Sequence, residues 1–600
     1  MNRHVYQPVA LLLFFLIYWH TASAQRFITQ SPQKRSLLSL KATDALGRSF
    51  SDNGSDINPK KTVGVFYSLW LGQHRSGQKE IYDIQKLLNT KPDALYDVNG
   101  TKESPLNEFH FWGEPLYGYY SMSDPWVVTR HVELLCNAGV DYLCIDATNR
   151  IIYHQPMENL LGVLEKFYQQ GFNIPKIVFY TNSLSGTTVS DLYNTYYKSG
   201  RYSHLWYSPS GKPMIIGITK NNRNASDMTK YHPFEDFVSD DLVAYFDVRE
   251  SQWPNGDYNP DGIPWMSWQY PQWNHKGTVA VPVAQHSHSI IDASSMHPEC
   301  SRGYNNKTRE VERDWMAGAS FQTMWDAVHA DSGRIVNVVT ASFNEWMAIK
   351  YANQHGRDRV FFVDVFNHEF SRDIEMMKGG YNDNFYLQLV RNIRRFKIVG
   401  NAPEPTKPHR INIRDFGFGQ WKAVESVYVD FSGDALNRNF EGAAGSIRYI
   451  DSSARNDITE IRVAHDNRYL YFRIKTKDPI TSYDGHSNNW MNILISDGRM
   501  DKTFSGYRYI VNRRPGAKGK TSVERSLGGY QWEECGTAEY IVRGNIMQLA
   551  IPLRHMGMDA RRCKFEFKVS DNVTRYDDIM DYYVSGDSAP IGRLGFRYGN

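Results

Sequence analysis

From Thr62 to about residue 400 the chain alternates short apolar runs with stretches whose apolar residues recur at helical spacing, and that alternation restricts it to folds built on a parallel sheet. The runs are Thr62–Trp70, Val140–Asp146, Lys176–Tyr180, Met214–Ile218, Leu242–Glu250, Val279–His286, Ile335–Thr340 and Val360–Asp364. Between them, Val128, Val132, Leu135 and Cys136 mark a helix that stops at Gly139, and Leu160, Leu161, Leu164 and Phe167 mark another. Eight strands with intervening helices predict an α/β fold of the (β/α)8 barrel type over residues 62–400. An open, doubly wound sheet competes with it. No Gly-rich phosphate fingerprint follows the first run, and the count of eight favours the barrel.

A helix over about 384–398, with Phe385, Leu389, Ile393 and Phe396 as its stripe, closes this unit. Residues 401–409 then read as a Pro-rich linker. Beyond it the period changes to two, as in Tyr469–Lys475 and Lys564–Val569, which predicts a β-sandwich over 410–600. The N-terminus carries a basic start, an apolar stretch from Val9 to Trp19 and the small-residue exit Thr21-Ala22-Ser23-Ala24. That pattern predicts a signal peptide over 1–24 cleaved after Ala24, a connector over 25–61, and a secreted or periplasmic protein with no membrane span.

Strand C-termini in a barrel converge on one face, so the polar residues there are the candidate chemistry. Asp146, Asn149, Asp247, Glu250, Glu345 and Asp364 stand at or near such ends. Glu345 is the most telling, because the apolar run through Val339 breaks there into Asn344-Glu345-Trp346 at what reads as the seventh strand end. Glycoside hydrolysis needs two carboxyl groups, and we take Glu345 with Asp146, Asp247 or Glu250 as the candidates. Aromatic residues make up 14% of the chain, with 15 Trp and 38 Tyr, and aromatic faces hold the apolar faces of sugar rings. Tyr67, Trp70, Trp112, Trp253, Trp268 and Trp346 are the expected platforms, with Asn149, Asn344 and His286 as hydrogen-bonding partners.

Other chemistries find less support. A formal charge of +3 from 68 basic and 65 acidic residues, without a basic tract, argues against nucleic acid. His286, His288 and Asp247 have no compact metal spacing, and neither a metal nor another cofactor is expected. No Gly-x-Ser-x-Gly elbow is present. The charge-dense segment His368–Glu375 reads as an ion-pair network that locks the last barrel loop. Cys136 and Cys144 read as core residues, and a Cys535–Cys563 bridge stays open.

On Val65-Phe66-Tyr67, Ala138-Gly139-Val140-Asp141 and Phe343-Asn344-Glu345-Trp346, residues 60–400 resemble the (β/α)8 glycoside hydrolases related to endo-α-mannosidases and endo-mannanases. The resemblance implies a cofactor-free, carboxylate-driven glycosidase acting on carbohydrate, and Glu345 carries over. The family's second Glu, three residues after the first, does not, because Ala348 stands in its place. That departure keeps a second function in view, a non-catalytic glycan-binding protein on the same barrel. Residues 410–600 resemble family-nine-type carbohydrate-binding sandwiches through Tyr428–Asp434, Ala464–Phe472 and Trp490–Ile495.

Overall fold

The computed structural model describes residues 31–50, 54–73, 80–221, 236–252, 258–267, 269–285, 297–352, 359–401 and 406–599. The expected signal peptide and the centre of the Pro-rich linker lie outside these residues. Eight strands form one parallel sheet: β1 (Thr62–Tyr67), β2 (Tyr142–Ala147), β3 (Lys176–Thr181), β4 (Met214–Gly217), β5 (Asp247–Gln252), β6 (Gly262–Pro264), β7 (Thr278–Ala280) and β8 (Asn337–Thr340). Each pairs with its sequential neighbour from β1 to β6, β8 pairs with β1 and β7 with β8, and β6 comes alongside β7. The sheet is therefore a nearly closed barrel. Its lumen is filled by alternate residues of the strands, Phe66, Tyr142, Cys144, Val178, Tyr180, Met214, Ile216, Ile263, Val339 and Ala341, which form their own buried cluster.

Three readings of the strands need correction. Asp240–Tyr245 is a helix, capped by acidic residues in its first turn, and β5 begins only at Asp247. The sixth strand is Gly262–Pro264, which has a Gly, a Pro and one apolar residue and so carries no strand signal of its own. The run at 360–364 does contain a strand, Val360–Phe362, but it pairs antiparallel with Met347–Ala352, which pairs in turn with Phe109–Phe111 in a small sheet beside the barrel. Asn344-Glu345-Trp346 consequently follows the eighth strand, not the seventh.

The helix Pro125–Ala138 shows how local signals and tertiary packing combine. Asp124 accepts a hydrogen bond from the Trp126 amide, Pro125 occupies the first turn, and Gly139 ends the helix with a φ of 77°. Nearly every side chain on it is buried, including Arg130, His131 and Glu133. It is covered on one face by the barrel and on another by the C-terminal region.

That region is a 12-stranded antiparallel sheet. The ring of Phe472, on Tyr469–Thr476, lies 5.2 Å from that of Phe567, on Phe565–Asp571, although these strands are far apart in the sheet order, so the sheet folds over and its halves pack face to face. Leu40–Lys41, from the stretch expected to be a connector, adds a strand against Gly595–Tyr598. Among the described residues all five cysteines are free, which settles the Cys535–Cys563 question against a bridge.

The two regions are tightly joined. Phe167 stacks on Phe431 at 3.6 Å between ring centroids, and Arg438 donates to Asp124 at 2.7 Å. Asp383, fully buried before the helix Asn384–Lys397, accepts from Arg593 Nε at 2.8 Å and from the Tyr583 hydroxyl at 3.0 Å. Removing one partner of a buried pair strands the other, so Asp383→Ala is expected to cost about 3–5 kcal/mol. A urea midpoint matching that of the parent chain would show that the pair does not hold the regions together.

Candidate functional site

The C-terminal ends of the strands present one carboxyl cluster. Asp146, on β2, has the same alternation as the lumen residues Tyr142 and Cys144 and faces inward at the top of the barrel. Its Oδ1 accepts from the Thr148 amide at 3.0 Å and the Thr148 hydroxyl at 2.7 Å. Glu345 stands just past β8, and Asp364 follows Val360–Phe362. Arg372 joins them: its Nη2 is 3.7 Å from Glu345 Oε2 and 3.5 Å from Asp364 Oδ1. Sharing that one nitrogen, the two oxygens lie no more than about 7 Å apart, which brings two carboxyls together at the mouth as glycoside cleavage requires. The guanidinium also lies over the half-buried Trp265 ring, 5.6 Å from its centroid.

Burial and repulsion set the charge states here. Burial, then the neighbouring Asp364, push the Glu345 carboxyl well above the usual range, and Arg372 only partly offsets this. Burial also raises Asp146, with the Thr148 hydrogen bonds pulling the other way and Asp364 adding repulsion. Burial and repulsion thus favour the acid form of Glu345, whose side chain keeps 21% of its exposure, beside Asp364 at 30%.

The residues flanking Glu345 hold it in place. Asn344 is fully buried and clamps the first strand's extension: its Oδ1 accepts from the Ser68 amide and its Nδ2 donates to the Ser68 carbonyl, each at 2.9 Å. Trp346 stacks on Trp112 at 4.1 Å and donates to Glu375 Oε2 at 2.5 Å. Glu375 also accepts from the Tyr120 hydroxyl at 2.7 Å and faces His131 Nε2 at 2.9 Å, and His131 Nδ1 meets the Tyr67 hydroxyl at 2.9 Å. A carboxylate only accepts, so His131 Nε2 donates to Glu375. Asp373 Oδ1 takes the Glu345 amide at 2.6 Å, its Oδ2 takes the Trp112 indole at 3.1 Å, and burial raises its carboxyl to about 6.

Several expected site residues stand elsewhere. Asp247 opens β5 at the opposite end of the barrel, level with Met214, and is ion-paired with Arg249 at 2.9 Å. Glu250 lies in register with Gly217, whose alternation is opposite to that of the lumen residues, and accepts from the Thr219 hydroxyl. Tyr67, Trp112, Asn344 and Trp346 are buried framework and offer no face to a ligand. Trp70 is half-buried against Phe109, at 5.2 Å between rings, and Asn149 is exposed beyond β2. Trp253, Trp268 and His286 lie outside the described residues. Ala348 is buried in Met347–Ala352, opposite His110.

Trp265 was among the aromatic residues expected at the strand ends and loops, whereas Arg372 and Asp373 were not singled out from sequence. The charge density of His368–Glu375 was the available signal for these two. The segment does form an ion network, and it also carries the guanidinium that meets Glu345.

No protein-family model and no curated protein matches the chain. Two solved structures of the GH99 endo-alpha-mannosidase from Bacteroides thetaiotaomicron, one in complex with BIS-TRIS-Propane, are similar to it. Each is 14% identical with a TM-score of 0.30, covering 56% of this chain and 98% or 97% of theirs. A likeness of that size says nothing about the chemistry at the barrel mouth.

Proposed function

We propose that the protein is an exported glycoside hydrolase that cleaves an oligosaccharide or polysaccharide at the barrel mouth by carboxyl acid/base catalysis. The observation that carries this reading is the sharing of Arg372 by Glu345 and Asp364, and burial together with Asp364 favours the acid form of Glu345. Glu345 donates its proton to the leaving glycosidic oxygen as the bond to the anomeric carbon breaks. Asp364 takes the carboxylate role, attacking that carbon or drawing a proton from the attacking water, according to the separation the two groups adopt around substrate. Asp146 lines the same mouth, and the half-buried Trp265 supplies an aromatic face for a sugar ring.

The Arg372 contact also favours one alternative, a barrel that binds glycan without cleaving it, because a guanidinium between two carboxyls is also how an ion cluster closes a loop. Incubating the protein with defined glycans and measuring new reducing ends separates the two. Release supports the hydrolase, and binding without release across the panel supports the binder.

The acid role predicts a pH profile. An acid-catalysed rate is lost as pH rises through the pKa of Glu345, so the alkaline limb of kcat is expected well above the ordinary glutamate value of 4.5. Arg372 is the neighbour that lowers this pKa, so Arg372→Met is expected to move the limb further up. A limb near 4.5, or one that moves down in the variant, counts against Glu345 as the acid.

A further inference from the structure

Five carboxylates are buried together away from the barrel mouth, where the helix Pro125–Ala138 meets the C-terminal sheet. Glu133 comes from the helix, Asp430 and Asp434 from the turn after Val427–Val429, Asp457 from just before Ile458–His465, and Asp587 from the start of Asp587–Ala589. None is more than 9% exposed. One oxygen each from Glu133, Asp430 and Asp434 lie within 4.8 Å of one another, and so do one each from Asp434, Asp457 and Asp587.

Their hydrogen bonding is incomplete in a consistent way. Asp430 Oδ1 accepts the Phe431 amide at 3.1 Å, Asp434 Oδ1 the Ala435 amide at 3.0 Å, and Asp587 Oδ2 the Ile458 amide at 2.5 Å. These bonds fix the carboxyls in place. Both oxygens of Glu133, together with Asp430 Oδ2, Asp457 Oδ1 and Asp587 Oδ1, have no hydrogen-bond partner among the described residues. Buried acceptors are ordinarily satisfied, so this many open oxygens in one place call for a ligand.

Counter-charge is also short. Arg130 Nη1 is 3.9 Å from Asp434 Oδ2 and gives its hydrogen bond to the Asp434 carbonyl at 2.8 Å. Lys568 is fully buried and donates to the Pro590 carbonyl. Lys477, 3.9 Å from Asp457 Oδ2, is half-exposed. Two buried cations and one at the rim face five acids, an imbalance that a dry interior relieves either by a bound cation or by protons on the acids, and the open oxygens are where a cation would be held.

The donor set identifies the class of that charge. All the ligands are carboxylate oxygens, with no His or Cys, which selects a hard cation over zinc or copper. Within each group of three the oxygens lie close enough together to share one ion, and an all-carboxylate cage drawn from a helix and several loops suits Ca²⁺, which takes six to eight oxygens in flexible geometry, over Mg²⁺, which usually keeps several of its waters.

We propose that this cluster is a calcium-class divalent cation site whose ligands come from both regions of the chain, Glu133 from the barrel and the aspartates from the C-terminal sheet. Asp434 belongs to both groups of three and is the bridging ligand. The site shares no residue with the barrel mouth, so it stands whether or not the protein cleaves glycans.

The test uses the full chain, stripped with EGTA and dialysed against Ca²⁺, Mg²⁺ or neither. Elemental analysis is expected to find at least one Ca²⁺ per chain, with Tm about 2 °C higher at a hundredfold excess over Kd than in EGTA. Glu133→Gln is expected to abolish the Ca²⁺-dependent part of that shift. The sign of its effect is itself diagnostic. If no cation binds, removing one of five repelling charges raises Tm in EGTA and Ca²⁺ alike, and that outcome overturns the proposal. So does a wild-type chain that retains no Ca²⁺ and melts identically in both buffers, a result that needs no variant to fold. Undiminished Ca²⁺ stabilisation in Glu133→Gln removes the barrel from the ligand set and overturns the two-region site. Asp457→Asn, expected to weaken binding from the sheet side, supplies a second variant, and an unaltered Ca²⁺ response in it counts against the aspartate ligands.

Discussion

Replacing Glu345 by glutamine is expected to lower kcat by about a hundredfold to ten-thousandfold, the range that loss of a positioned general acid produces. Glutamine keeps the shape of the side chain and its reach toward Arg372, but its amide has no proton to give at this pH. Stability should hold or rise slightly, because the substitution removes a carboxyl that burial and Asp364 already disfavour in its charged form. The melting temperature of the variant therefore accompanies the rate measurement. A variant that folds and turns over like the parent would falsify the assignment of Glu345 as the acid. Leaving-group dependence sharpens the test, since substrates with activated leaving groups need no protonation and should lose far less.

Trp346→Ala carries the second large effect, on stability. The ring is fully buried, stacks on Trp112 and gives its indole proton to Glu375. Truncating a buried aromatic costs about 3–5 kcal/mol, through lost contacts and the cavity left behind. Trp346→Phe separates the two contributions: it keeps most of the stack and removes one donor from a buried carboxylate, for about 1–3 kcal/mol. Denaturant midpoints should fall in the order parent, Phe, Ala. An alanine variant as stable as the parent would mean that the Trp112–Trp346 pair is not what fixes the backbone under Glu345.

Much of the barrel was legible because the lumen and the helix faces are written in apolar periodicity. Val140–Asp146, Lys176–Tyr180 and Met214–Ile218 match observed strands to within a residue or two. Periodicity names strands but not their partners, and the misassignment followed from that. Val360–Phe362 has the composition of a barrel strand yet pairs with Met347–Ala352, while Gly262–Pro264 completes the ladder through backbone hydrogen bonds that no side chain advertises. The same limit shaped the site. Glu345 stood out because a carboxylate interrupts an apolar run, and Asp146 because it ends one. Arg372 lies in a stretch of mixed charge where any residue could be a surface ion pair, and its meeting with Glu345 depends on a loop path. Asp247 looked equivalent to Asp146 only because the start of β5 was misplaced, which put a strand's first residue near its end. The five buried acids were invisible for a related reason: they are scattered from 133 to 587 and come together only on folding.

The strand at Leu40–Lys41 bears on how the chain can be made and cut. It lies against Gly595–Tyr598, about 550 residues further along the chain, so a segment made early must wait for one made much later. Until then the C-terminal sheet has an open edge, and closing it requires loop closure over that whole separation, a slow step that leaves partly assembled sheet exposed. A cut at the Pro-rich linker, the obvious place to separate the two halves, would leave each with a raw edge that only the other can cover.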